Sequence, residues 1–293
     1  MIRTLARTGL AAAAGALAAA GVNALRTRAE ERMPSLVRTN HAGNPVSLLE
    51  GPAQTAGLLA ACVLVPGAAN RTACLLAVGA AGALGANDDF RETGASKGLR
   101  GHLSALARGE VTTGALKVIG IPLASVAACA LLRRDADTVA GRAVDAVLAG
   151  GVVAGTANLM NLLDLRPGRA LKAGAVILDL QTTASVLGRL GAKGESRGGA
   201  QAGSASGALL GGVVGTTAVL LPDDLGGRSM LGDTGANALG AALGLRSALT
   251  ASRGRLICEL ALLAGLTLAS EKVSFTRVIE ATPGLRELDA LGR

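Results

Sequence analysis

The chain has no tryptophan or tyrosine, and only two phenylalanines and two histidines among 293 residues. It therefore has almost no aromatic face on which to stack a nucleobase. Its net charge of +8 is scattered and forms no basic run, so nucleic acid is excluded as the partner that this charge serves. The four cysteines, Cys62, Cys74, Cys129 and Cys258, all lie in apolar stretches, with no CxxC pair. That placement excludes a zinc ribbon or a disulfide framework and leaves them as small buried hydrophobes. Amphipathic stripes are missing too, because the apolar blocks are apolar all round, unlike the helices of a soluble core.

The chain is rich in other things: half its residues are hydrophobic, its mean hydropathy is +0.45 and it has 42 glycines. The apolar blocks run for roughly 15–22 residues, close to the ~20 that a membrane helix needs, and small residues suit helices that pack closely in lipid. The sequence predicts an all-α polytopic membrane protein with about nine transmembrane helices. The expected spans are 8–25, 52–67, 72–87, 111–132, 139–157, 173–190, 200–221, 237–250 and 255–271. The first run resembles a signal peptide, with Arg3 and Arg7 before an Ala-rich core. The residues after it are Arg-rich with no secreted-type domain, so it is read as a span. No Pro- or Ser-rich linker divides the chain, and residues 1–293 are expected to form one membrane domain. Nine spans alternate the connections between two sides carrying 16 and 10 Lys plus Arg. The richer side is assigned to the cytoplasm, and Asp145 and Lys117, near span ends, are read as snorkelling to the surface. Asp179 sits deeper in the sixth span and is expected to pair with an Arg or Lys of a neighbouring helix.

Three acidic turns fall on the cytoplasmic side of this topology: Asn87-Asp88-Asp89, Asn158-x-x-Asn161-x-x-Asp164, and Gly232-Asp233-Thr234-Gly235. For Asp233 alone, a turn in which it or Thr234 caps the next helix is an equal reading. Taken together, the turns supply the hard oxygen ligands that Mg²⁺ takes beside phosphate groups. Arg91, Lys97, Arg100, Arg166, Arg169 and Lys172 surround them, suited to diphosphate oxygens.

The order Asp-Asp, Asn-x-x-Asn-x-x-Asp, Gly-Asp-Thr-Gly resembles the polyprenyl-phosphate N-acetylhexosamine-1-phosphate transferases, which include the phospho-N-acetylmuramoyl-pentapeptide transferases. His41-Ala42-Gly43-Asn44-Pro45 with Gly51, Ser96-Lys97-Gly98-Leu99-Arg100 and Glu271-Lys272-Val273-Ser274 extend the likeness over roughly residues 30–280. The resemblance implies that Asp233 binds Mg²⁺ bridging the diphosphate of a UDP-sugar. Asp88 and Asp89 would orient or deprotonate a polyprenyl phosphate, and Asn158, Asn161 and Asp164 would line the nucleotide pocket. His41, Lys97, Arg100 and Arg166 would contact substrate. The products would be a lipid-diphosphate sugar and UMP, made at a prokaryotic plasma membrane in cell-envelope synthesis. The implied partners are polyprenyl phosphate, a UDP-sugar and the lipid bilayer, with a homodimer left open.

The chain departs from the family pattern in several places. Pro167 replaces the second Asp of Asp-Gly-x-Asp-Gly, and Glu92 replaces the Lys usual after the Asp pair. The late His-bearing sugar-recognition loop has no counterpart. A non-catalytic relative that binds polyprenyl phosphate or scaffolds an envelope enzyme is therefore the alternative. A transporter ranks last, because no pair of broken helices recurs in matching halves.

Overall fold

The computed structural model describes residues 2–40, 43–91, 107–109, 112–132, 138–191 and 197–293. Helix accounts for 82% of the structure, as expected where lipid cannot satisfy backbone N–H and C=O groups and each segment must do so internally. The elements are α1 (Ile2–Asn23), α2 (Arg26–Arg32), α3 (Glu50–Val63), α4 (Ala68–Arg91), α5 (Thr113–Ala130), α6 (Val139–Leu163), α7 (Arg169–Gly191), α8 (Arg197–Leu225), α9 (Gly232–Thr250), α10 (Arg253–Ser270), α11 (Phe275–Ala281) and α12 (Leu285–Ala290). Helices form at all nine positions expected from hydropathy. Thr112, Thr138 and Ser252 start α5, α6 and α10 by accepting an N–H bond from the first turn.

Five of these helices are long and apolar enough to cross a bilayer: α1, α5, α6, α7 over Arg169–Leu187 and α8 over Gly199–Leu225. The chain is thus membrane-embedded. The other four expected spans, at α3, α4, α9 and α10, fall outside this set, two of them for reasons visible in the fold. With 14 residues, α3 reaches about 21 Å at 1.5 Å per residue, short of the ~30 Å hydrocarbon core. In α9, 16 of 19 residues are buried by protein, so its environment is the bundle and not lipid. It packs against α3, α4, α6, α7 and α8 and forms the axis of the molecule.

Close approach between helices sets the rest of the bundle. Along α8, Gly211 and Gly215 lie against the carbonyls of Thr8 and Ala12, and a Cβ at either would overlap α1. A polar knot in the core of the bundle ties α7 and α8 to α9. The Arg246 guanidinium donates to the carbonyls of Ser206 and Leu178, to Gln181 Oε1 at 3.0 Å and to Thr182 Oγ1 at 3.2 Å. Arg246 is therefore a core residue and not one of the loop charges that set the expected topology.

The loop before α3 folds into a hairpin of β1 (Val37–Thr39) and β2 (Pro45–Ser47), paired antiparallel with Arg38 opposite Val46. Ser47 continues the pairing by bonding Arg228 and Met230 through its backbone, which fixes this loop beside the start of α9. Two expectations are corrected. Asp145 is buried and paired with Arg253 at 2.7 Å across α6 and α10, so it does not snorkel. Cys258 is exposed on α10, whereas the other three cysteines are buried.

Candidate functional site

The acidic turns converge at one end of the bundle, around the N-terminus of α9. Gly232 has a φ of +58°, and Gly85 of α4 packs so closely that a Cβ would overlap the Asp233 carbonyl. Gly51 of α3 is equally tight against Leu231 and Thr234. These contacts bring Asp88 and Asp89, in the last turn of α4, against the first turn of α9.

The two adjacent carboxylates do different things. Leu231, at the N-cap of α9, makes no side-chain cap, so the first N–H groups of the helix need another acceptor. Asp89 supplies it from α4. Its Oδ1 accepts the Asp233 N–H at 3.0 Å, and its Oδ2 accepts the Thr234 N–H at 2.8 Å and the Thr234 hydroxyl at 2.5 Å. The capping expected of Asp233 or Thr234 is thus performed by Asp89. Arg38 of the hairpin donates to the Asp89 carbonyl.

Asp88 instead faces Lys117 at 2.6 Å, and the same ammonium pairs with Asp233. Lys117 is one turn inside α5, and helical side chains lean back toward the N-terminus, so it points to this end of the bundle. It was expected to snorkel and is instead the cation shared by two site carboxylates. A lone Lys near a span end looks the same in sequence whichever it does; only the packing of α5 on α4 distinguishes them.

These carboxyls lie at helix ends, outside the apolar spans. Burial drives the Asp233 carboxyl up to about 7, with Asp88 and Asp89 adding to it and Lys117 opposing. Burial also pushes on Asp88, but hydrogen bonds from Asp233, Lys117 and Thr113 outweigh it and hold that group at about 2. Asp89 is raised by burial, against the opposing hydrogen bonds from the cap. Environments that separate neighbouring carboxyls in this way assign them different protonation states at neutral pH.

Asp164 joins the cluster. It is buried and accepts a backbone hydrogen bond at Gly232, and burial with repulsion from Asp224 raises it well above the usual carboxylate range. Behind it lie Asp224, which accepts the Gly168 N–H at 2.9 Å, and Glu50, which accepts the Ser229 hydroxyl at 2.5 Å. Glu50 is raised strongly by burial and then by Asp224. Asp164, Asp224 and Glu50 each keep one buried oxygen without a partner. Glu50 and Asp224 were not singled out from sequence, because each looks like an ordinary charge at a span end.

Other expected site residues are drawn elsewhere. Asn161 sits one turn before Asp164, half-buried. Asn158 donates to Thr267 Oγ1 at 3.0 Å and fastens α6 to α10, away from the cluster. Arg166 pairs with Glu280. Arg169 is buried and holds Asp289 with two bonds, at 2.7 and 3.1 Å, and Lys172 reaches the carbonyls of Asp289 and Leu291. Three of the six basic groups expected to meet diphosphate are therefore engaged by the C-terminal segment, while Arg91 is exposed at the end of α4. His41, Lys97 and Arg100 lie outside the described residues.

Among the described residues no three acidic, His or Cys side chains are gathered as a metal cage. Mg²⁺ beside phosphate asks for less, one or two carboxylates with water and phosphate oxygens completing the sphere. Asp88 and Asp233 fit that role: both already face one cation, and Asp88 Oδ1 is a buried oxygen with no hydrogen-bond partner. Comparison with known proteins finds no family model and no curated sequence that matches the chain.

Proposed function

We propose that the protein is a membrane phosphosugar transferase, moving a sugar-1-phosphate from a UDP-N-acetylhexosamine-type donor to polyprenyl phosphate. The bilayer topology in this reading is the nine-span one, with the site on the cytoplasmic face of the plasma membrane. The observation that carries it is the meeting of Asp88, Asp89 and Asp233 from two separated motifs, joined by Lys117 from a third helix. Phosphoryl transfer runs mainly on positioning and charge neutralisation, and this cluster has groups for both.

Asp233 and Asp88 would hold Mg²⁺, which when bound would neutralise charge on the donor diphosphate. Lys117, displaced from between them, would remain within reach of phosphate oxygens. A carboxyl held at about 2 is a weak base. A phosphate monoester has a second pKa of ~6 and is mostly a dianion at neutral pH, so it needs orienting more than deprotonating. Asp88 would therefore orient the lipid phosphate through the cation it holds, since two anions meet only across a shared positive charge. An oxygen of the lipid phosphate forms the new bond to the β-phosphorus, the bond from that phosphorus to the bridging oxygen breaks, and UMP leaves with the electron pair.

A second reading, a non-catalytic polyprenyl-phosphate binder, is favoured by Lys117 filling the place between Asp88 and Asp233 and by Pro167 in the altered motif. UMP release from purified protein separates the two. The assay supplies Mg²⁺, undecaprenyl phosphate and a panel of UDP-N-acetylhexosamines, with Asp233→Asn as control. Release that requires lipid and metal and disappears in the variant is expected. Silence across the panel with lipid phosphate still bound would leave only the binder.

A further inference from the structure

Asp179 is the eleventh residue of the 23 in α7, at mid-span, and its side chain is exposed on the outer face of the bundle. It has no ion pair or hydrogen bond among the described residues, contrary to the expected Arg or Lys partner. A carboxylate there is costly in hydrocarbon, and such groups ordinarily face protein or pair with a cation. On the same face of α7, Ala175 and Thr183 stand one turn to either side of Asp179 and are exposed, flanked by Val176 and Val186, and the two small residues let a second helix come near at that level. Between α7 and α8 lies a groove of about 250 Å³, lined by Ala175, Leu178, Asp179, Thr182 and Leu210. The floor of this groove is already polar, because Thr182 accepts from the buried Arg246.

We infer that this face of α7 docks a membrane-spanning helix of another protein, one that carries a lysine or arginine at mid-span. Charge complementarity selects that occupant over a second copy of this chain. Among the described residues the spans offer no lipid-facing cation at this depth. Arg246 is buried, Lys117 is held by Asp88 and Asp233, and Arg142 stands in the first turn of α6.

The test uses the full-length protein in phosphatidylcholine vesicles with two synthetic Leu/Ala spanning peptides, one with a central Lys and one with Leu there. Energy transfer between labelled protein and peptide reads association. The Lys peptide is expected to bind about tenfold more tightly than the Leu peptide, the scale of one polar contact between membrane helices. Asp179→Asn is expected to remove the preference. Because Asp179 is exposed and unpaired, the variant should keep its helix content and thermal unfolding, which are measured in parallel. Equal binding of both peptides to the native protein would overturn the inference, as would a preference kept in Asp179→Asn. Asp179-dependent self-association without peptide would also overturn it and assign the face to a second copy.

Discussion

Asp88 and Asp89 are neighbours in sequence with opposite duties, and the difference can be measured. Asp89 satisfies two backbone N–H groups and the hydroxyl of Thr234, so Asp89→Ala would leave buried donors without an acceptor. A lost cap costs ~0.5–2 kcal/mol and each unsatisfied buried donor ~1–3 kcal/mol. The expected outcome is a loss of about 2 kcal/mol in thermal or denaturant unfolding. Asp88→Ala removes no backbone acceptor and should act on turnover more than on stability. Asp233 gives the pH dependence. Its carboxyl titrates at about 7 in the fold, against 3.8 for an ordinary aspartate, so between those values the folded state binds the extra proton. Stability from this group is therefore full below about 4 and is lost as pH rises through about 7. Activity that needs the ionised group runs the other way. UMP release should fall below about pH 7, and the acid limb should move lower as Mg²⁺ is raised, because metal and proton compete for the same oxygens. An acid limb unmoved by Mg²⁺ would remove Asp233 from the metal site. At this scale the sequence exposed the acidic turns, because carboxylates between glycines are poorly explained by packing. It hid Lys117, Glu50 and Asp224, because single charges at span ends have an ordinary explanation.

Among the elements, α9 and the C-terminal pair α11–α12 organise the site from opposite directions. α9 was legible as an apolar run, yet its central position was not, because apolar composition is the same whether a helix faces lipid or protein. The C-terminal pair carries no apolar block and so gave no signal, although its segment takes Arg166, Arg169 and Lys172. Its grip rests on Asp289, which pairs with Arg169 by two bonds and with Arg293 at 2.8 Å. Arg169 is buried, and breaking a buried pair costs ~3–5 kcal/mol because one charge is left without a partner. Asp289→Asn is expected to release the segment after Ser270, seen as faster trypsin cleavage at Arg277 or Arg286 with the rest of the chain intact. If the freed Arg169 and Lys172 then meet diphosphate, UDP-sugar affinity should rise in the same variant. Unchanged cleavage would mean that the clasp does not depend on this carboxylate.

At the scale of the whole molecule, the proposed transferase activity requires the acidic cluster to face the cytoplasm. Five helices meet the length and apolarity of a span, and four more stand at positions where the chain must reverse if the acidic turns share a side. The structure gathers those turns at one end, as the proposed alternating path requires, and in that path the 14-residue α3 would cross a locally thinned bilayer. The charge balance points the same way, and with Arg246 in the core the poorer side carries 9 Lys plus Arg against 16. Two reporters on an otherwise cysteine-free variant test it: Ala281→Cys at the end of α11, the helix that pairs with Arg166 after the Asp164 turn, and Gly254→Cys at the start of α10, where a side chain meets nothing within 4 Å. A membrane-impermeant maleimide on intact cells should label position 254 and leave 281 unlabelled until the membrane is opened. Labelling at 281 in intact cells would put the cluster on the outer face. No cytosolic UDP-sugar could reach it there, and the transferase reading would fail with the topology.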